Sequence, residues 1–440
     1  MNSFDQIIGY AEEKKELERI ADALKNREAY ERLGVSAPKG LLLAGDPGLG
    51  KTLMATALIE ASGRKAFVCR KDQPNGEFIR TIKATFEEAA GNAPSIVFLD
   101  DMDKFANGDE NRRDAEEYVT VQSCIDECRG KDVFVLATVN NLRTLPRSLQ
   151  RAGRFDRIMK IRPPRGSDAV KIVSHYLQGK SFVGDMDAEV IASLMSGKSC
   201  AELETVINEA GMYAGFHRSQ EITMEHFMTA CLKTVYNVSG ISDPEDDDAW
   251  DDDDRFCLHT ATGGNHSPAA CHEAGHAVIS EVLCPGSVTL ICTRKNSRGV
   301  GGFTQCMGLG NETPSQLMRR RILVALGGRA AEELVFGAPD LGCDEDITAA
   351  FNAVQTMIGD HCTSGFQYYK YGRDSQELVS RREQIVAAEV EKYYHQALAI
   401  LRENREFLDK IAAARDKTGL LTLLDIRTIR KECACLKNVG

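Results

Sequence analysis

Apolar residues recur along this chain with two different periods. Three short unbroken runs stand out: Gly40-Leu41-Leu42-Leu43-Ala44, Ile96-Val97-Phe98-Leu99 and Val133-Phe134-Val135-Leu136. Runs of this length predict strands buried on both faces of a parallel sheet. Between them the apolar positions take helical spacing, as in KTLMATALIEASG from Lys51, so strands alternate with helices and predict an α/β domain. Residues 4–33 read as a helix of mixed charge ending near Gly34, and residues 168–236 carry helical patterns alone. Beyond residue 266 the pattern is again mostly helical, interrupted by a β-like patch from Val288 to Gln305.

The chain's 440 residues, 43% hydrophobic and 27% charged, are those of an ordinary globular protein of two or three domains. The net charge of −11 argues against nucleic acid as a partner, which would require phosphate neutralisation. Much of that charge is local, because residues 243–254 (DPEDDDAWDDDD) hold nine carboxylates and read as a solvated linker between domains. The expected boundaries are an α/β domain at 1–165, a helical lid at 166–240, the acidic linker at 241–258 and a helical domain at 259–440. Fourteen cysteines with no secretory signal ahead of them predict reduced thiols. The absence of any apolar run of 18 residues predicts no membrane span.

Two motifs carry chemistry. Gly45-Asp46-Pro47-Gly48-Leu49-Gly50-Lys51-Thr52 fits G-x-x-x-x-G-K-[ST] between a strand and a helix. Its backbone N–H groups can cradle the phosphates of ATP, Lys51 can reach the β/γ-phosphates and Thr52 can hold Mg²⁺. At the tip of a second strand Asp100 is placed to hold Mg²⁺ through water, and Asp101 to orient the attacking water. Asn140, at the tip of the third strand, can reach the same water.

The second motif, His272-Glu273-Ala274-Gly275-His276, is H-E-x-x-H behind Ser267-Pro268, which predicts a capped helix. Residues i and i+4 share a helix face, so both imidazoles can bind one Zn²⁺, with Glu273 as general base for the metal-bound water. Spacing leaves the third ligand open among Glu332, Glu333, Asp344, Glu345 and Asp346.

The order of these motifs, followed by Arg151-Ala152-Gly153-Arg154-Phe155-Asp156-Arg157, resembles the AAA+ ATPases. HEAGH, then LGGRAAEELVFG (326–337), then the G-x-x-x-D-I segment Gly342 to Ile347, resembles the protease domain of the FtsH family of ATP-dependent zinc metalloproteases. The likeness runs from Phe4 to about residue 430. It implies an α/β AAA+ domain with a parallel sheet and a small helical lid, followed by a mostly α-helical zinc metalloprotease domain. It also implies Asp346 as third zinc ligand, Ile8 and Gly9 lining the adenine pocket, and Arg151 and Arg154 as fingers on a neighbouring subunit's γ-phosphate. A homo-hexamer acting on protein or peptide substrates is implied too, with a substrate strand pairing near Gly301-Gly302-Phe303.

This sequence departs from that family in four places. It begins at the ATPase, where family chains carry membrane helices ahead of it, so a cytoplasmic location is expected. The acidic run is unusual. Asp101 stands where the family has glutamate. The pore loop's aromatic falls on Pro74-Asn75-Gly76, with Phe78 the nearest substitute. The last two departures leave an alternative, a non-proteolytic nucleotide-dependent chaperone or binding platform with a weak ATPase.

Overall fold

The computed structural model describes residues 3–35, 37–72, 75–106, 115–151, 153–182, 187–236, 238, 266–292, 302–308, 312–339, 341–370, 372, 374–433 and 435–438. The acidic run, Pro74 and Gly301 lie outside the described residues. The chain divides into two compact units, Met1–Phe227 and Met228–Gly440.

The first unit is built on a five-stranded parallel sheet of β1 (Gly40–Ala44), β2 (Lys65–Cys69), β3 (Ser95–Leu99), β4 (Val133–Val139) and β5 (Arg157–Lys160), in the order β2-β3-β4-β1-β5. The three apolar runs are the three inner strands, and every residue of β1 and β3 is buried. Such a run must be covered on both faces, and the helices Ala11–Lys25, Lys51–Ser62, Asn75–Gly91 and Glu116–Glu127 accompany the sheet. Both strands absent from the sequence reading, β2 and β5, are edge strands with exposed positions, so neither shows an unbroken apolar run. Three further helices, Gly166–Leu177, Ala188–Leu194 and Cys200–Phe216, follow the sheet, and the helix Met224–Tyr236 begins at the end of this unit and continues past Phe227.

The single helix expected over residues 4–33 is broken. A 3₁₀ turn at Ser3–Gln6 is followed by Gly9 (φ 69°) and Tyr10 (φ 51°), both left-handed, and the helix starts only at Ala11. The buried Tyr10 donates its hydroxyl to the Arg162 carbonyl at 3.0 Å, a tertiary bond that overrides local helical preference.

The second unit is mostly helical: Pro268–Leu283, Pro314–Phe336, Asp344–Gly359, Gln376–Glu403, Arg405–Thr418 and Leu423–Lys431. A small antiparallel sheet, β7-β6-β8, joins β6 (Val288–Cys292), β7 (Phe303–Cys306) and β8 (Leu420–Thr422). The helices Pro268–Leu283 and Pro314–Phe336 meet where their glycines let the backbones approach. A Cβ on Gly275 would lie 2.3 Å from the Gly327 carbonyl oxygen, so a side chain there would force the helices apart. Ser267 caps the first of these helices by accepting the Ala270 N–H, and Pro268 follows in its first turn. Among the described residues no helix is long and apolar enough to cross a membrane.

Candidate active sites

The glycine-rich loop leaves β1 and turns into the Lys51–Ser62 helix through Gly48 (φ 76°) and Gly50 (φ 83°), conformations that suit glycine. Lys51 is buried inside the loop it belongs to. Its ammonium donates to the carbonyls of Gly45 (2.7 Å) and Asp46 (2.8 Å) and to Asn140 Oδ1 (2.9 Å). Burial lowers the Lys51 pKa, and the charges of Asp101, Asp103, Asp46 and Asp100 oppose that shift. Asp100 Oδ1 accepts from the hydroxyls of Thr138 (2.7 Å) and Thr52 (3.2 Å). The Thr52 and Asp100 oxygens thus stand together beside the phosphate loop, a donor set that suits a hard cation such as Mg²⁺.

Asp101 sits in the left-handed region (φ 53°), donates its N–H to Thr138 Oγ1 at 2.8 Å and pairs through its carboxylate with Lys104 at 2.6 Å. Asn140 is held by Asp103, which accepts from the Asn140 backbone N–H (3.0 Å) and side-chain amide (3.2 Å). Asp103 escaped the sequence reading although it lies one short turn beyond Asp100. Gly9 lies beside the Gly166–Leu177 helix, where a Cβ on it would come within 3.1 Å of the Asp168 carbonyl oxygen, and Ile8 precedes it, half-buried. Arg151 is exposed. Arg154 is not free: it bonds Asp126 (2.7 Å), Gln122 Oε1 (2.9 Å) and the Ser148 carbonyl (2.8 Å) within its own chain. The substitute pore aromatic is corrected outright. Phe78 is fully buried and packs edge-on against Phe105, so it belongs to the core and cannot grip a substrate.

In the second unit His272, His276 and Asp346 converge, each offering one donor atom, with these atoms all within 4.8 Å of one another. The His272 and His276 Nε2 atoms are 3.0 Å apart, and Asp346 Oδ2 is 3.1 Å from the first and 3.2 Å from the second. The opposite ring nitrogens are engaged elsewhere. His276 Nδ1 donates to the Val324 carbonyl (2.6 Å) and His272 Nδ1 meets Glu332 Oε1 (2.9 Å), which leaves both Nε2 lone pairs aimed at the carboxylate. Three lone pairs meeting at one point require a cation between them, and two imidazoles with one carboxylate fit Zn²⁺.

The same demand appears in the protonation equilibria. Burial disfavours the His272 imidazolium, but hydrogen bonds to Asp346 and Glu332 outweigh it and push the pKa up to about 10. The His276 pKa is raised likewise, against its burial, chiefly by Asp346. Despite its own burial, Asp346 is held well below the usual carboxylate range by the two histidines.

Of the five acids that spacing left open, Asp346 alone joins this cluster. Glu332 orients His272 from behind, Glu333 accepts from the Tyr394 hydroxyl, and Asp344 and Glu345 are exposed. Gly328 makes room for the ring, since a Cβ there would lie 2.5 Å from His272 Nε2. Glu273, buried beside the histidines, accepts the Thr304 hydroxyl from β7 at 2.7 Å.

Comparison with known proteins finds a family match over the part of the chain that carries each site. Residues 41–163 match the ATPase family associated with various cellular activities (AAA), and residues 260–429 match peptidase family M41. The chain belongs to the FtsH-type family of ATP-dependent zinc metalloproteases. It is 29% identical to an ATP-dependent zinc metalloprotease FtsH of Pelobacter propionicus, over 94% of this chain and 68% of that relative. It is 28% identical to the FtsH 4 of Synechocystis sp., over 93% and 68%, and 30% identical to the Ureaplasma parvum FtsH, over 97% and 59%. The chain thus spans 59 to 68% of these relatives' lengths. Arg70, which pairs with Asp100 at 2.6 Å, and Asp103, Thr138, Glu332 and Thr304 are the polar neighbours whose present roles sequence reasoning did not assign. Only Glu332 left a signal there, as a rejected ligand.

Proposed function

We propose that this chain is an ATP-driven zinc endopeptidase working as a homo-hexamer on protein substrates. The observation that carries the reading is the convergence of His272, His276 and Asp346 beside Glu273, on the same chain as the Gly45–Thr52 loop. Lys51 and the loop N–H groups bind the β/γ-phosphates, Thr52 and Asp100 hold Mg²⁺, and Asp101 with Asn140 orients the attacking water. Ile8 and Gly9 line the adenine pocket. Arg151 completes a neighbour's site from its exposed position; Arg154 acts there on leaving Asp126, or else positions Arg151 through the loop they share.

In the peptidase site the three ligands hold zinc, which supplies Lewis acidity toward the scissile carbonyl when bound. Glu273 takes the proton of the attacking water and passes it to the leaving amine. Thr304 fixes the carboxylate that does so, and β7 offers an edge along which an extended substrate can lie.

The reading separates two engines. Glu273→Gln should abolish peptide-bond hydrolysis and leave ATP turnover intact. Lys51→Ala should stop ATP turnover and degradation of folded substrates, while short unstructured peptides are still cut. Equal loss of short-peptide cleavage in both variants would refute it.

A further inference from the structure

The nucleotide site contains a cation of the chain's own. Strand β2 pairs in parallel with β3 so that Cys69 stands opposite Leu99, and the Asp100 N–H donates to the Cys69 carbonyl at 3.1 Å. The next residue on each strand therefore lies side by side: Arg70 and Asp100. With a small residue at position 70 the Asp100 carboxylate would face the phosphate loop alone, but the guanidinium reaches across and places Nη2 2.6 Å from Asp100 Oδ2. The other oxygen, Oδ1, is taken by Thr138 and Thr52. Both oxygens of a carboxylate only 7% exposed are thereby satisfied, as burial of a charge requires.

We infer that Arg70 is an internal counter-cation of the nucleotide site, holding Asp100 when no nucleotide is bound and yielding it in part to magnesium. The inference rests on the nucleotide-site reading above. Magnesium carried in on ATP or ADP would sit by Oδ1, next to the Thr52 hydroxyl, and would share this one carboxylate with the guanidinium on Oδ2. A guanidinium left there would confront a dication at a few ångströms, and like charges so close repel. The Arg70 side chain is 60% exposed, so it can swing into solvent without opening the core. Nucleotide without magnesium leaves the pair intact; nucleotide with magnesium weakens it. Arg70 thus sets how much magnesium the site requires.

The test is nucleotide binding, measured by calorimetry on the full chain with ADP as probe, in EDTA and across a magnesium titration. In Arg70→Ala the magnesium concentration giving half-maximal tightening should fall by roughly two- to fivefold, the range for losing a partly exposed ion pair. Affinity in EDTA should not change, and Arg70→Lys should stay near the parent because it keeps a cation. Equal magnesium requirement in Arg70→Ala and the parent, with normal binding, would overturn this inference alone. Weaker binding in Arg70→Ala with and without magnesium would make Arg70 a phosphate ligand and overturn it too. No ADP binding by either form would overturn the nucleotide-site reading and this inference together.

Discussion

The Thr304 hydroxyl donates to the Glu273 carboxylate at 2.7 Å, tying the edge strand β7 to the helix that carries both histidines. Gly302, one residue before β7, faces the same carboxylate, and a Cβ there would lie 2.9 Å from Glu273 Oε1. The proposed general base is therefore aimed by the strand along which substrate is proposed to lie. Replacing Thr304 by valine keeps the shape and removes the hydroxyl. Peptide hydrolysis should fall by about tenfold, since a slightly misplaced group loses much of its effect, while zinc content stays full. Kinetics on a short peptide with a parallel zinc assay decide it, and an unchanged rate would remove Thr304 from the site.

Asp346 and Glu332 both touch His272, from opposite nitrogens, and they should fail differently. Asp346→Ala should lose zinc because two imidazoles hold it poorly. Glu332→Ala should keep a zinc site weakened by about 10- to 100-fold, the usual cost of removing a partner behind a metal-binding histidine. Metal analysis after dialysis against graded chelator separates them. Full zinc in Asp346→Ala would mean that another acid is the ligand.

Zinc uptake should expel protons. Against its burial, hydrogen bonds to Asp346 and Glu332 push the His272 pKa up to about 10 in the metal-free site, so at neutral pH the site holds a proton that zinc must displace. Zinc affinity should therefore fall about tenfold per pH unit per proton as pH drops from 8 to 6. The raised pKa also means that the His272 contribution to metal-free stability is fully present below about pH 6.5, the histidine's ordinary value, and is lost as pH rises through about 10, whereas that of Asp346 is lost as pH falls below the ordinary carboxylate range. Calorimetry in buffers of different ionisation heat counts the protons; zinc affinity independent of pH would contradict the arrangement.

What the sequence disclosed and what it hid follow from burial. β1, β3 and β4 are covered on both faces and so are written as unbroken apolar runs, whereas the edge strands β2 and β5 carry exposed side chains that erase the signal. With β2 unseen, nothing placed Arg70 beside Asp100. The motif residues were legible because phosphate and metal chemistry demands fixed spacing along one loop or helix face. Thr304, Asp103 and Glu332 were not, since each reaches its target through tertiary packing. Phe78 shows the opposite failure, a motif analogy that ignored the core it fills.

By its resemblance to the family Asp101 stands in place of a glutamate, which would draw the carboxylate back by about 1.5 Å, one C–C bond. Lys104 holds it at 2.6 Å. Asp101→Glu should raise the ATP turnover rate, by up to about a hundredfold if position is the whole defect, with nucleotide affinity little changed. Steady-state turnover on both forms is the measurement. A lower or equal rate would mean that the site has adapted to aspartate.

If one chain joins an ATP motor to a zinc peptidase, casein degradation must depend on both. Zinc-loaded protein should degrade casein faster with ATP and magnesium than without ATP, and a zinc-selective chelator should stop it while ATP turnover continues. Degradation that survives the chelator, or zinc-loaded protein that turns over ATP and leaves casein intact, would contradict the account.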